Sequence, residues 1–179
     1  MCRIHESAEG VVGQRKRGRP VFRTIAVATD GSPSAVNAVA AAEDLARHFG
    51  AKLTFIHVQE VTVGRGGTFV RPSQSTLAAL RDRTAQLQGE GIEATMSVSR
   101  ATHSGIAGEI TDLATKAGAD LLIVGSSAHG ALARMVLGSV GGQLRRRAPW
   151  PVLTVPFEYP LATAAQDGEP APGLRAVAK

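Results

Sequence analysis

The chain has one cysteine, Cys2, among its 179 residues, and only 4% of its residues are aromatic. A single cysteine cannot form an internal disulfide, so a packed core has to stabilise the fold, and a reducing, cytoplasmic location is expected. Alanine, valine, leucine and glycine dominate the composition. These small and branched residues favour closely packed α/β layers over a β-sandwich.

Long hydrophobic runs and recognisable catalytic patterns are also missing. The longest apolar runs are four or five residues, which is too short for a transmembrane helix, and the basic N-terminus lacks the apolar centre of an export signal. The five histidines have no metal-ligand spacing, and there is no Gly-Lys-Ser/Thr phosphate loop or evident general base. We therefore expect no metal site, no catalytic residues and no enzymatic activity.

Charge and composition divide the chain into three parts. Residues 1–20 carry five Arg or Lys against two Glu without apolar periodicity, which predicts a disordered basic arm. Residues 158–179 are rich in Ala, Pro and Gly and predict a flexible tail. The domain between them, residues 21–157, keeps a mild basic excess. This excess is compatible with a phosphate-bearing ligand and does not require nucleic acid.

Strand and helix patterns alternate along residues 21–157. Apolar, β-branched segments predict strands at 22–29, 53–58, 93–99, 121–124 and 152–155, and periodic segments predict helices at 33–48, 76–88, 104–117 and 139–147. Residues 59–75 contain glycines and Pro72 without a clear period and predict a loop. The alternation indicates a single doubly wound, Rossmann-like α/β domain with a five-stranded parallel sheet. Its ligands are expected at the carboxyl ends of the strands.

The segment LLIVGSSAHGALARMVLGSV, residues 121–140, carries the strongest functional signal. An apolar strand breaks at Gly125, a loop of small residues follows, and Gly138 and Ser139 open a helix. Strand, loop and helix N-terminus is the order that a parallel sheet uses to hold phosphate, because the free N–H groups and the helix dipole favour an anion.

Together with IAVATDGSPSA after the first strand, LTFIHV at the second and LRRRAPWPVLTVP at the end, this segment resembles the universal stress protein family. The resemblance covers roughly residues 21–157. It implies a five-stranded parallel sheet in the order 3-2-1-4-5 and a role in stress response or regulation. It also implies a homodimer formed by antiparallel pairing of the last strand, Val152, Leu153, Thr154 and Val155.

Some members of this family bind ATP, which implies ATP with Mg²⁺ as the cofactor. Asp30 would lie beside the ribose and adenine, Val58 would meet adenine through its backbone, and the loop would hold the phosphates. The binding set implied by the resemblance is Ala28, Thr29, Asp30, Val58, Val124, Gly125, Ala128, Gly130, Gly138, Ser139 and Val140.

The loop departs from the family pattern of ATP binders at one position. That pattern is Gly-x2-Gly-x9-Gly followed by Ser or Thr; Gly125 and Gly138 match its ends, but Ala128 occupies the middle position and Gly130 lies two residues later. Alanine costs about 1 kcal/mol or more if a positive φ is needed there. Its methyl group would clash if the position has to approach the phosphate closely, and it is harmless at ordinary angles. Two hypotheses remain: an ATP-binding dimer with slow hydrolysis at most, or a dimeric interaction protein that binds no nucleotide.

The basic arm adds a third hypothesis. Arg17, Gly18, Arg19 and Pro20 resemble the core of an AT-hook, in which an extended Arg-Gly-Arg segment enters the narrow minor groove of A·T-rich DNA. The alternatives are a solvated charged tail and an extension produced by an upstream start codon. DNA association is therefore a further hypothesis for either form of the protein.

Overall fold

The computed structural model describes residues 21–126 and 139–157. The strands are β1 (Thr24–Ala28), β2 (Lys52–Gly64), β3 (Gly67–Val70), β4 (Ala94–Thr102), β5 (Leu121–Gly125) and β6 (Val152–Val155), and the helices are α1 (Pro33–Phe49), α2 (Gln74–Gly89), α3 (Ile106–Lys116) and α4 (Ser139–Arg147). A short 3₁₀ turn, His103–Gly105, precedes α3. No helix in these described ranges is long and apolar enough to cross a membrane.

Five of the strands form a parallel sheet in the spatial order β4-β2-β1-β5-β6. Numbered by their appearance along the chain, these parallel strands read 3-2-1-4-5, so the predicted doubly wound α/β fold and its strand order are confirmed. Helices α1 and α2 cover one face of the sheet, and α3 and α4 cover the other.

Alternation along the strands builds a core on each face, because successive side chains of a strand point to opposite sides. In β1, Ile25 and Val27 face α1 and α2, whereas Ala26 faces α3 and α4. Alanines fill much of α1, so the helix lies close to the sheet. Ser32 caps its N-terminus and Gly50, in the left-handed conformation at φ 63°, ends it.

The predicted loop at residues 59–75 was wrong. β2 continues to Gly64, turns through Arg65 and Gly66, and returns as the antiparallel strand β3. Helix α2 then begins at Gln74, two residues earlier than predicted. The reason is local: Gly64 and Gly67 are paired across a two-residue turn, with Gly67 at φ 120°, a conformation that glycine adopts readily.

The β2–β3 hairpin lies beyond the end of β1. Val61 pairs with Thr102 of β4 on one side and with Val70 of β3 on the other, so β3 occupies the side of β2 on which β1 lies. β1 has already ended, since its last partner in β2 is Ile56. A gap therefore separates the end of β1 from the start of the hairpin pairing.

A buried ion pair fixes α2 against α1. Arg83 donates from Nε to Oε1 of Glu43 at 2.6 Å and from Nη2 to the other carboxylate oxygen, and Glu43 is only 3% exposed. The hydrogen bonds to Glu43 raise the pKa of Arg83 above its ordinary value. Just after the last residue of α2, a hydrogen bond from Arg47 of α1 lowers the pKa of Glu90. The stability that this exposed pair contributes is therefore lost as the pH falls through that pKa.

Replacing Arg83 with alanine should lower the free energy of unfolding by about 2–4 kcal/mol, because the buried Glu43 loses both hydrogen bonds of its closest cation and keeps only the 3.6 Å contact with Nη1 of Arg47. Urea denaturation followed by circular dichroism measures the change. Arg81→Ala, at an exposed position of the same helix, is the matched control and should cost less than about 1 kcal/mol. Equal losses in the two variants would show that the pair does not hold α2 in place.

Candidate functional site

A cleft of about 410 Å³ opens at the carboxyl ends of the parallel strands. Its wall on the α3 and α4 side is mainly apolar, and its wall on the α1 and α2 side carries hydroxyl, imidazole and amide groups. The apolar wall consists of Ala28, Ile56, Val58, Ile106, Ile110, Val124, Val140 and Leu144; the polar wall includes Ser32, Ser34, His57, Gln59, Ser73 and Thr76. The cleft can therefore cover a flat apolar ring on one side and bond polar groups on the other.

Inside this cleft, one residue of β2 has backbone groups that face no neighbouring strand. Leu53 donates its N–H to Glu93 beside β4, whereas Ile56 accepts from Thr29 and Glu60 accepts from Arg71. Odd-numbered residues of β2 therefore direct their backbone groups to β4, and even-numbered residues direct theirs to β1 and the hairpin. Val58 lies between Ile56 and Glu60, a stretch of about 13 Å, so its N–H and C=O face the gap.

The ladder between β1 and β2 stops just short of Val58. A continued parallel ladder would bond the N–H of Val58 to the carbonyl of Thr29 and the N–H of Gly31 to the carbonyl of Val58. Instead, the Thr29 carbonyl accepts from Nδ1 of His57 at 2.8 Å, and the Gly31 N–H donates to Oγ1 of Thr29 at 3.2 Å. Both backbone groups of Val58 are left without those partners.

His57 is 97% buried beneath the cleft, since only 3% of its surface is exposed. A carbonyl can only accept, so Nδ1 of His57 donates in this bond. Within residues 21–126 and 139–157, Nε2 is the one buried side-chain polar atom without a hydrogen-bond partner. It is unusual for a buried imidazole to make only one hydrogen bond, and the one that His57 makes is to the Thr29 carbonyl.

Two helix N-termini point into the cleft. Helix α1 contributes Ser32, Ser34 and Ala35, and α4 contributes Val140 and Gly141. The first N–H groups of a helix lack internal partners and the helix dipole is positive at this end, so both termini attract a negative charge. The cleft therefore favours an anionic group on its β5 and β6 side, next to α4.

Asp30 follows β1 in the middle of the cleft. Its Oδ1 accepts the Ser32 N–H at 2.9 Å, which shapes the turn into α1, and its side chain is exposed. Gly31, at φ 79°, lies so close to α2 that a Cβ would stand 2.5 Å from Oγ1 of Thr76. This close approach holds Asp30 at the entrance, where its carboxylate can accept from hydroxyl groups of a ligand.

The far end of the cleft carries a charged cluster that we call the rim cluster: Glu60, Arg71 and His103. Nδ1 of His103 lies 3.0 Å from one Glu60 oxygen, and Nη1 of Arg71 lies 3.7 Å from the other. Their side chains come from β2, from the residue after β3 and from the 3₁₀ turn before α3. Glu60 lies two residues beyond Val58 along β2, about 7 Å away, so the cluster closes this end of the cleft.

Close packing requires a glycine at position 125. A Cβ at this position would lie 2.4 Å from the carbonyl oxygen of Ser34 and 2.9 Å from the backbone nitrogen of Ala35. Its backbone conformation is not the left-handed one, so the constraint is the close packing of β5 against the first turn of α1. The predicted role in phosphate binding would be additional to this packing role.

The structure gathers most of the predicted site residues around one cleft. Ala28, Thr29, Asp30, Val58, Val124, Gly125 and Val140 line it. Ser139 is the first residue of α4, and Ala128, Gly130 and Gly138 lie outside the described residues.

Sequence reasoning missed two parts of the cleft. Glu60, Arg71 and Ser73 fell in the segment predicted as a loop, although the VTV and TFV segments around Gly64 and Gly67 could have indicated a hairpin. The diverted bonds of Thr29 and His57 depend on strand register, for which the sequence gives no signal. In the part of the chain that the structure describes, no group of three His, Cys, Asp or Glu could hold a metal ion.

Comparison with known proteins identifies the family. The model of the universal stress protein family matches residues 22–156. The chain belongs to this family. A universal stress protein of Methanocaldococcus jannaschii is 29% identical over 152 residues, which cover 78% of this chain and 85% of the relative.

Solved structures of universal stress proteins have the same fold. One, crystallised in complex with cAMP, is 27% identical with a TM-score of 0.56, and the match covers 75% of this chain and 96% of that one. Another, from Burkholderia pseudomallei, is also 27% identical with a TM-score of 0.57 and the same coverage. This universal stress protein therefore has the fold of a relative that was crystallised in complex with cAMP.

Gly125→Ala should destabilise the protein by about 1–3 kcal/mol, because the added methyl group forces β5 away from the first turn of α1. Thermal and urea unfolding measure the loss. Gly89→Ala is the control: this helix residue has open space around its Cα, so alanine should be neutral or slightly stabilising. If Gly125→Ala were as stable as Gly89→Ala, the packing role of Gly125 would be refuted.

Proposed function

We propose that this universal stress protein binds an adenine nucleotide, ATP with Mg²⁺, in the cleft and acts as a homodimeric regulatory protein of the stress response. The observation that carries the proposal is the open backbone edge at Val58, inside a cleft that has helix N-termini at its other end. A donor and an acceptor on one peptide edge match the paired acceptor and donor of adenine. The complex of a 27% identical relative with cAMP supports the same ligand class.

The two ends of the cleft give the nucleotide a direction. Phosphates would lie at the N-terminus of α4, where the dipole and the free N–H groups favour them. The base would then lie over Val58, against the apolar wall, with the ribose near Asp30. Adenine would be buried between Ile106, Ile110 and the strand ends, which are apolar.

The residues of the cleft fit a ligand-bound Mg²⁺ better than a protein-held one. Asp30 and Glu60 are the carboxylates that line its described part, and both are on the β1 and β2 side, away from α4. Mg²⁺ commonly keeps its waters and is held through substrate phosphates. The cation would therefore enter with the triphosphate.

We propose a binding protein and not an enzyme. The histidine–carboxylate pair of the described cleft, His103 and Glu60, lies at the base end. The phosphates would lie at the opposite end, so this pair could not activate a water beside them. Any hydrolysis of ATP would be slow.

Asp30→Asn should weaken ATP binding about tenfold, because asparagine keeps the turn bond to Ser32 but loses the charged acceptor for ribose hydroxyls. Isothermal titration with Mg-ATP gives the dissociation constants, and analysis of the nucleotide released by denaturing the purified protein identifies what it retains. Asp44→Asn, at an exposed position of α1, is the control and should bind like the wild type. No nucleotide in the purified protein and no heat on titration would reject ATP binding and favour an interaction protein without nucleotide.

The outer edge of β6, which pairs with no other described strand, supports the proposed homodimer. β6 pairs with β5 on one side, carries no charge, and exposes 41% of Leu153. An apolar, uncharged edge strand is open to pairing with another chain. The other edge of the parallel sheet, β4, carries Arg100, so it is less suited to antiparallel pairing with a copy of itself.

Leu153→Arg should convert the dimer into a monomer, because a charge on the paired edge of each copy opposes association. Sedimentation velocity over a range of protein concentrations measures the mass. Val98→Arg is the matched control, since Val98 is 39% exposed on the opposite edge strand. A wild-type monomer at all concentrations, or equal dissociation in both variants, would exclude a dimer through β6.

A further inference from the structure

We propose that the side chains of His57 and Thr29 act as positioning residues that keep the backbone of Val58 open for the ligand. This inference deepens the proposed function and rests on it for the identity of the ligand. Its structural part, an open peptide edge maintained by two side chains, stands on hydrogen bonds of the described residues.

The Thr29 carbonyl is the first of the two ladder partners that Val58 lacks. Thr29 already donates its own N–H to Ile56, so the next bond of the parallel ladder would come from Val58 N–H to Thr29 carbonyl. Nδ1 of His57 occupies this carbonyl at 2.8 Å instead. The imidazole reaches it because His57 and Thr29 lie side by side on the same face of adjacent strands, one residue beyond the last pair, Ala28 and Ile56.

The Gly31 N–H is the second ladder partner that Val58 lacks. This group would be the ladder partner of the Val58 carbonyl, but it donates to Oγ1 of Thr29 at 3.2 Å. The left-handed φ of Gly31 turns the chain away from β2 at this point. Nδ1–H of His57 therefore takes one of the two acceptor positions of the carbonyl that Val58 would use, and Oγ1 of Thr29 takes the only proton of the Gly31 N–H.

The burial of His57 indicates that the hydrogen bond of this histidine is needed at the position. A leucine or phenylalanine would suit a position that is 97% buried between the sheet and the helices, and it would leave no polar atom unsatisfied. Nε2 has no partner among the described residues, so the histidine carries a cost that its bond to Thr29 has to offset. Freeing the Val58 edge gives a functional reason for that cost.

A ligand can form with Val58 the two hydrogen bonds that further residues of β1 would have formed. A ligand that presents an acceptor and a donor side by side takes the place of the next residues of β1. Adenine has such a pair on its ring edge, and it is flat enough to lie against the apolar wall formed by Ile106 and Ile110. The class of ligand is therefore a planar heterocycle with adjacent acceptor and donor groups.

The experiment measures the Val58 amide directly, in uniformly ¹⁵N-labelled protein. The variants are Thr29→Val, which removes Oγ1 at nearly constant shape, and His57→Phe, which removes Nδ1. Thr29→Ser restores a hydroxyl and is the rescue variant. Thr54→Val is the matched control, because it removes another buried hydroxyl, one bonded to Thr95 at 3.0 Å.

Without ligand, hydrogen exchange at the Val58 amide should be fast in the wild type, Thr29→Ser and Thr54→Val. It should slow at least about tenfold in His57→Phe, where the Thr29 carbonyl becomes available to Val58. In Thr29→Val the amide should stay open while the Val58 carbonyl gains the Gly31 N–H, so exchange slows at Gly31. The affinity for Mg-ATP should fall about tenfold in both Thr29→Val and His57→Phe and remain unchanged in the other two.

The results test the positioning roles of His57 and Thr29 separately from the binding of ATP. Exchange at Val58 that is slow in the wild type, or that does not change in His57→Phe, overturns the inference even if ATP binds. Closed amides with unchanged ATP affinity also overturn it, because the edge would then not contact the ligand. If the amides close as expected but the wild type binds no nucleotide, the proposed function fails and the positioning roles of His57 and Thr29 stand.

Discussion

The cleft lies where the ladder between β1 and β2 stops while β2 continues, at the carboxyl ends of the strands. At this point Nδ1 of His57 bonds the carbonyl of Thr29, and Gly31 turns the chain away from β2. Parallel sheets always expose such ends, but a ligand needs groups that are unpaired and still held in place. Here the pairing of β2 with β4 keeps Val58 rigid while its other edge is open.

Close packing around this edge depends on two glycines, which lack a Cβ, and on one buried ion pair. Gly125 lets β5 lie against the first turn of α1, and Gly31 lets the turn after β1 lie against Thr76 of α2. The buried pair of Glu43 and Arg83 then fixes α2 relative to α1. The polar wall of the cleft is therefore part of the same rigid body as the core.

The periodic parts of the fold could be predicted from the sequence. The alternation in β1, the Ser32 cap and the Gly50 stop each act within a few residues, so local sequence reveals them. The strand β3 was missed because its residues are exposed on both faces, which leaves no burial pattern to recognise.

The candidate site divides in the same way. Asp30, Val58 and Gly125 lie at the carboxyl ends of predicted strands and could be placed at the edge of the sheet from sequence. The interactions of His57, and the closeness of Gly125 to α1, arise between segments far apart in the chain. Such contacts depend on register and layer spacing, which no local pattern contains.

The hairpin has a separate consequence for the divergence of such proteins. β3 contributes no side chain to either core cluster, and it pairs with the extension of β2 alone among the described strands. Arg71, which follows it, nevertheless borders the cleft. Insertions, deletions or substitutions in this hairpin can therefore reshape the outer wall of the cleft while the two cores keep their stability, which makes it a place where ligand preference can evolve independently of folding.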